Sequence, residues 1–154
     1  MAQTRDNLVA EEIADGLLYR TGQALVHGQL DGIEDCFLLP HSVETTEGAR
    51  IARTADDVRG FFEEVRSYYA ETDVVDIVET IVESRFVSDR EIESVHVSSI
   101  TRRGTERPVS TFPVYSVIKL SMDGKWRIAH CNYAITDSRR HGSAFLSWRA
   151  KAET

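Results

Sequence analysis

The stretch from Val74 to Thr136 constrains this chain more than any other. It reads as four strands, Val74 to Val87, Glu91 to Arg102, Val109 to Ser121 and Trp126 to Thr136, parted only by short turns at Ser88-Asp89, Arg103-Gly104-Thr105 and Asp123-Gly124. Val, Ile, Thr and aromatic residues recur in these runs, as pleated, half-buried segments require. Asp123-Gly124 is a two-residue hairpin signal because both positions tolerate positive φ. Strands of this length accumulate twist, and a long twisted meander curls into a cone. With helical segments ahead of it, the expected class is α+β: a strongly curved antiparallel or mixed sheet wrapped around about three N-terminal helices, enclosing a pocket.

The helices have their own signals. Asp6 is placed to cap a first helix, and Val9, Ile13, Leu17, Ala24 and Leu25 recur near helical spacing as its apolar stripe. Gly28 ends it, as a residue free to enter the left-handed region does. Asp31 is expected to cap a short second helix holding Ile33, Cys36 and Phe37, stopped by Pro40. Two short strands follow, His41 to Thr46 and Ala49 to Arg53. Thr54-Ala55-Asp56-Asp57 resembles a capping box with Asp in the acidic position, and its helix buries Val58, Phe61, Phe62, Val65 and Tyr69 before ending near Ala70.

Composition narrows the partners. A chain of 154 residues makes one domain, read here as residues 1–137 with a C-terminal tail, 138–154. The net charge of −7 argues against nucleic acid or an anionic membrane as partner, and the 18 Lys and Arg are scattered. Two cysteines make no disulfide framework and suit a reducing compartment. The polar start, Met1 to Asn7, has no signal-peptide core, and no apolar run is long enough for a membrane span. A cytoplasmic protein is expected. The five histidines show no metal-binding spacing, and no phosphate loop, nucleophile elbow or Cys-x-x-Cys is present, so neither a metal nor a cofactor is expected.

Strand register then nominates a site. If Asp123-Gly124 closes a two-residue hairpin, Met122 pairs with Lys125, Tyr115 lies opposite Asn132 and Val117 opposite His130, all on one face. If Gly104-Thr105 is also a two-residue turn, Ser94 falls beside Tyr115 and His96 beside Pro113. The result is a polar patch of Ser94, His96, Tyr115, His130 and Asn132, bordered by Trp126 and Ile128. The other face offers Val95, Val97, Val114, Ile118 and Cys131. A one-residue slip would exchange the faces.

The order of pieces resembles the nuclear transport factor 2-like superfamily, and within it the SnoaL-like and ketosteroid-isomerase-like proteins. The resemblance covers about residues 8 to 137. It is carried by Gly28-Gln29-Leu30-Asp31-Gly32-Ile33 with Phe37, by Val58-Arg59-Gly60-Phe61-Phe62, by Pro113 and by Gly124 to Ile128. These mark a fold that hosts isomerases, cyclases, dehydratases and binding domains alike. Ketosteroid isomerases hold a general-base Asp where this chain has Thr45. Their oxyanion hole uses a Tyr at the place of Thr21 and a protonated Asp at the place of Tyr115. Hydroxyls at Thr45 and Thr21 are not bases near neutral pH, so the steroid reaction is not expected. Because the family's acid at the Tyr115 position points inward, the resemblance puts the polar patch inside the cone.

The expected function is binding of a small, fairly apolar organic molecule, with cofactor-independent acid–base chemistry of isomerase, cyclase or dehydratase type. His96 or His130 would move the proton. Tyr115 would donate to a developing oxyanion, and Asn132 and Ser94 would hold the substrate. Asp31 is a further acid candidate, set against its capping role. Phe37, Phe61, Phe62, Thr21, Thr45 and Trp126 would form walls, the aromatic ones serving the core as well. Glu79 and Glu83 are read as outward-facing. Two other readings stand beside this one: a non-catalytic binding or assembly domain, and a β-type subunit of a ring-hydroxylating dioxygenase. A homodimer through the outer sheet face, with Val95, Val97, Val114 and Ile118 in contact, is also expected. The tail residues Phe145, Leu146 and Trp148 need cover from the cone mouth or the partner subunit.

Overall fold

A computed structural model describes residues 5–105 and 107–149; the ends of the chain, 1–4 and 150–154, including the last part of the expected tail, lie outside the described residues. Helix α1 (Arg5–His27) is followed by a 3-10 turn (Ile33–Cys36), β1 (Phe37–Thr45), β2 (Gly48–Ala52), α2 (Ala55–Glu71), β3 (Val74–Ser88), β4 (Glu91–Arg102), β5 (Ser110–Leu120), β6 (Trp126–Tyr133) and α3 (Arg139–Ala144). The six strands form one sheet in the order β2-β1-β6-β5-β4-β3, with β1 parallel to β6 and every other pair antiparallel. This is the expected α+β cone. Among the described residues no helix is long and apolar enough to cross a membrane.

Helix α1 packs on β3 through a face that keeps Ala24 and Leu25 of the expected stripe, has Ile13 and Leu17 half-buried at its edge and, in its N-terminal part, lies one residue further along the chain. Ala10, Ala14, Leu18, Thr21, Ala24 and Leu25 are buried, whereas Val9 is 43% exposed. The period of 3.6 suits both stripes. Small alanines win because they let the helix lie close to the sheet. Gly28 has φ +77 and its N–H returns to the Ala24 carbonyl, as a left-handed C-cap does.

The next segment departs from expectation. Gly32 rather than Asp31 caps the 3-10 turn, and the exposed Asp31 accepts from Arg20 through its backbone carbonyl. Phe37 opens β1 instead of ending a helix, and Pro40 sits inside that strand where the ladder to β6 is interrupted. Pro is tolerated where no ladder N–H is required. Helix α2 follows its signals: Thr54 accepts from the Asp57 N–H at 3.1 Å, Asp57 accepts from the Arg53 N–H at 2.9 Å, and all five expected core residues are buried.

The register carries the main correction. The β5–β6 connection is a three-residue loop, Met122 to Gly124, closed by the Ser121 N–H on the Lys125 carbonyl, with Gly124 at φ +84. That shifts the pairing by one residue, and a bulge at Ala129 shifts it back. Tyr115 therefore does face Asn132, and Val117 faces His130. The β4–β5 connection has no such compensation. Val95, not Ser94, pairs with Tyr115, and His96 pairs with Val114. One residue of slip divides the expected patch between two faces.

The C-terminal segment closes the cone mouth. Phe145 and Trp148 are buried on Phe61, with ring centroids 6.3 and 5.9 Å away, and Phe145 stacks on Tyr133 at 4.2 Å. Arg50 lies 3.8 Å over the Trp148 ring and donates to the Leu146 and Trp148 carbonyls.

Candidate functional site

The inner face of the sheet carries Ser94, His96, Ser98, Val114, Ser116, Ile128, Cys131 and Tyr133 toward the helices. Between them and Leu18, Thr21 and Leu25 of α1 with Phe37 and Phe62 lies a small cavity of about 30 Å³. That is room for about two water molecules. Its walls are mostly apolar, with Glu79, His96, Ser116, Cys131, Tyr133 and Thr21 as the polar members.

Glu79 departs from the sequence expectation by lying inside rather than outside. The sequence places it on the outer face with Glu83, four residues on. In a regular strand the two would share a side, but a bulge at Val82 intervenes. Glu83 stays outside opposite Val95, whereas Glu79 turns inward opposite Ser98. The signal was available in the period-two alternation of Ile77, Glu79 and Ile81. Burial, and the nearby Asp15 carboxylate, push the Glu79 carboxyl up to about 7. Its Oε2 is buried and makes no hydrogen bond among the described residues.

His96 sits one diagonal away, because Ile81 pairs with it where Glu79 pairs with Ser98. It is 3% exposed, its Nδ1 makes no hydrogen bond among the described residues, and burial lowers its pKa to about 4. It is therefore a neutral imidazole at neutral pH. Burial also holds the Cys131 thiol up at about 11 and the Tyr133 phenol well above its ordinary value. Both remain protonated donors. Together these groups place one acid–base carboxyl, one neutral imidazole and one phenol on a single cavity wall.

Other expected site residues are distributed elsewhere. Tyr115, His130 and Asn132 occupy the alternate, convex face of the sheet. The Tyr115 hydroxyl donates to Glu93 at 3.1 Å, and His130 faces Glu44 at 3.8 Å. Val114, Ile118 and Cys131 are interior, the reverse of their expected side, so only Val95 and Val97 of the proposed dimer contacts face outward. Ser94 is interior and hydrogen-bonded to Ser84 at 2.7 Å. Thr21 lines the cavity with its hydroxyl turned back to the Leu17 and Leu18 carbonyls. Thr45 is buried near Gly142 of α3 and accepts from the Glu47 N–H. Phe37 and Phe62 line the cavity. Phe61 packs under Phe145 and Trp148, and Trp126 packs edge-on against Phe86. Asp31 lies exposed, away from the cavity.

A second depression adjoins the cavity from outside. It is a cleft of about 180 Å³ between α1 and β3, lined in part by Asp15, Tyr19, Gly22, His27 and Asp76. Leu18 and Glu79 belong to the walls of both spaces. Among the described residues no group of His, Cys, Asp and Glu is arranged to hold a metal ion.

No family model matches the chain, and no curated protein matches it in sequence. Its fold does resemble solved structures. A protein of unknown function with a cystatin-like fold from Nostoc punctiforme superimposes with a TM-score of 0.68 at 16% identity, over 94% of this chain and 85% of that one. An NTF2-like protein from Novosphingobium aromaticivorans gives 0.65 at 14% identity, over 92% and 91%. A ketosteroid isomerase-like protein from Erwinia carotovora atroseptica gives 0.61 at 16% identity, over 88% and 100%. At such identities the likeness speaks for the backbone alone. The chain has the cystatin-like cone of the NTF2-like proteins.

Proposed function

We propose that the cone interior is a binding site for a small, fairly apolar organic molecule, on which Glu79 performs cofactor-independent acid–base chemistry. One observation carries this reading. Glu79 Oε2 and His96 Nδ1 are both buried without a hydrogen bond among the described residues, and both residues line one cavity. Unpartnered buried polar atoms cost stability, and a ligand that satisfies them recovers it. A carboxyl with a pKa of about 7 is matched to proton transfer near neutrality. Tyr133 takes the donor role expected of Tyr115, and His96 orients the substrate as a neutral group. This pairing fits proton abstraction beside a carbonyl, with the phenol facing the developing oxyanion.

The cavity's small volume favours a second reading, a non-catalytic binding or assembly domain with a closed core. A fragment screen by thermal shift, with hits followed for turnover, separates the two. Under the catalytic reading hits protect the fold, and Glu79→Gln lowers turnover by about 10²–10⁴ while leaving the fold intact. A folded protein that no fragment stabilises supports the second reading.

A further inference from the structure

Glu79 is the one ionisable residue common to the walls of two spaces that differ in their access to water. Apart from Glu79 and Tyr133, the residues lining the inner cavity are buried, whereas Asp15, Tyr19, His27 and Asp76 on the walls of the cleft are exposed. The carboxyl group stands close to both sides. Toward the cleft, a methyl group at Gly22 would lie 3.6 Å from Oε1. Toward the cavity, after burial, the Glu79 charge is among the influences that raise the Cys131 thiol and the Tyr133 phenol. Among the described residues no cation pairs with the carboxylate, so water reaching it from the cleft is what favours its charged form.

Gly22 stands between that carboxyl and the cleft without a conformational need to be glycine. It lies inside α1, where glycine weakens a helix, and its φ is outside the left-handed region. A Cβ there would meet only ordinary van der Waals distances, and its three nearest atoms all belong to the Glu79 carboxyl. What the missing side chain leaves uncovered is therefore Glu79.

We infer that Gly22 is a positioning residue, a window through which Glu79 exchanges its proton with water in the cleft while the substrate reacts in the closed cavity on the other side. This rests on Glu79 as the base of the reading above and adds how that base is restored. In the cavity the substrate C–H bond breaks, its electron pair moves to the carbonyl oxygen facing Tyr133, and the proton passes to the Glu79 carboxylate. Toward the cleft the carboxyl O–H bond breaks, the proton leaves to water and the carboxylate returns. A proton taken from water by the same route completes the product, so nothing is consumed. The titratable groups around Glu79 are Asp15, Asp76 and His27 of the cleft, His96, Cys131 and Tyr133 of the cavity, and Tyr69 of α2.

The carbon shift of the Glu79 carboxyl, followed against pH in protein made with isotope-labelled glutamate, gives its titration midpoint directly. Gly22→Ala removes water from the charged form and should raise the midpoint by about half a unit or more. Gly22→Ser places a hydroxyl donor beside Oε1 and should hold the midpoint at or below that of the parent. Both variants keep the fold, since the added Cβ fits and both residues suit a helix better than glycine. A higher melting temperature in Gly22→Ala with an unchanged midpoint makes Gly22 merely structural; it overturns the window and leaves Glu79 as the base. A parent midpoint near 4.5, rather than about 7, removes the base and the window together.

Discussion

The Tyr69 hydroxyl and Nε2 of His141 share a hydrogen bond of 2.8 Å in the buried seam where α2 meets the C-terminal segment. Burial lowers the His141 pKa to about 4, so the ring is neutral. Replacing the phenol by Phe leaves that nitrogen buried without its hydrogen-bond partner. Tyr69→Phe should destabilise the fold by about 1–3 kcal/mol in urea denaturation. A variant as stable as the parent would show that the seam opens to water.

Trp148 tests how much the C-terminal segment contributes. Its indole is 2% exposed, lies over Phe61 and is capped by the Arg50 guanidinium. Trp148→Ala should cost about 3–5 kcal/mol, as large-to-small changes in a packed core do. A loss under about 1 kcal/mol, measured the same way, would mean that the segment merely rests on the cone.

Two opposed sets of groups set the pH dependence of stability. His41, His96 and His141 have pKa values lowered by burial from 6.5 to about 4. The folded state binds fewer of their protons in that window, so stability is lost as pH falls through it. Glu79 is raised from 4.5 to about 7, so its contribution is lost as pH rises toward 7. Between 4.5 and 6.5 three groups oppose one, and stability should fall toward acid. At pH 6.5 the unfolded chain still half-protonates each histidine, so the three together outweigh Glu79 up to about pH 8. The melting temperature should therefore climb from acid and level off between about pH 7 and 8, and Glu79→Gln should steepen the climb. A melting temperature that climbs steadily toward acid would contradict burial of the histidines.

Gly28 is required twice over. Its φ of +77 disfavours any side chain, and a Cβ there would come within 2.8 Å of the Arg66 Nη2. That guanidinium donates to the last carbonyls of α1, at Ala24 and Leu25. Gly28→Ala should cost about 1–2 kcal/mol by chemical denaturation. An unchanged midpoint would show that Arg66 can leave without loss.

Much of the architecture was local in origin. The Thr54 cap, the apolar face of α2 and the left-handed Gly28 follow from residues within one turn of one another, so the sequence reading of them agrees with the structure. The sites of the three hairpins in the meander were equally legible. Facing was not. The pairing of Tyr115 with Asn132 came out as expected only because a three-residue loop and a bulge at Ala129 cancel. The β4–β5 loop and the bulge at Val82 do not cancel, and they send Tyr115 and His130 out while bringing Glu79 in. The side chain of a strand alternates with a period of two, so one extra residue reverses every assignment beyond it. Nothing in the local propensities registers such a residue. It is the closing of α1 over β3 that chooses which face is buried, and that choice raises the Glu79 carboxyl and makes it the candidate base.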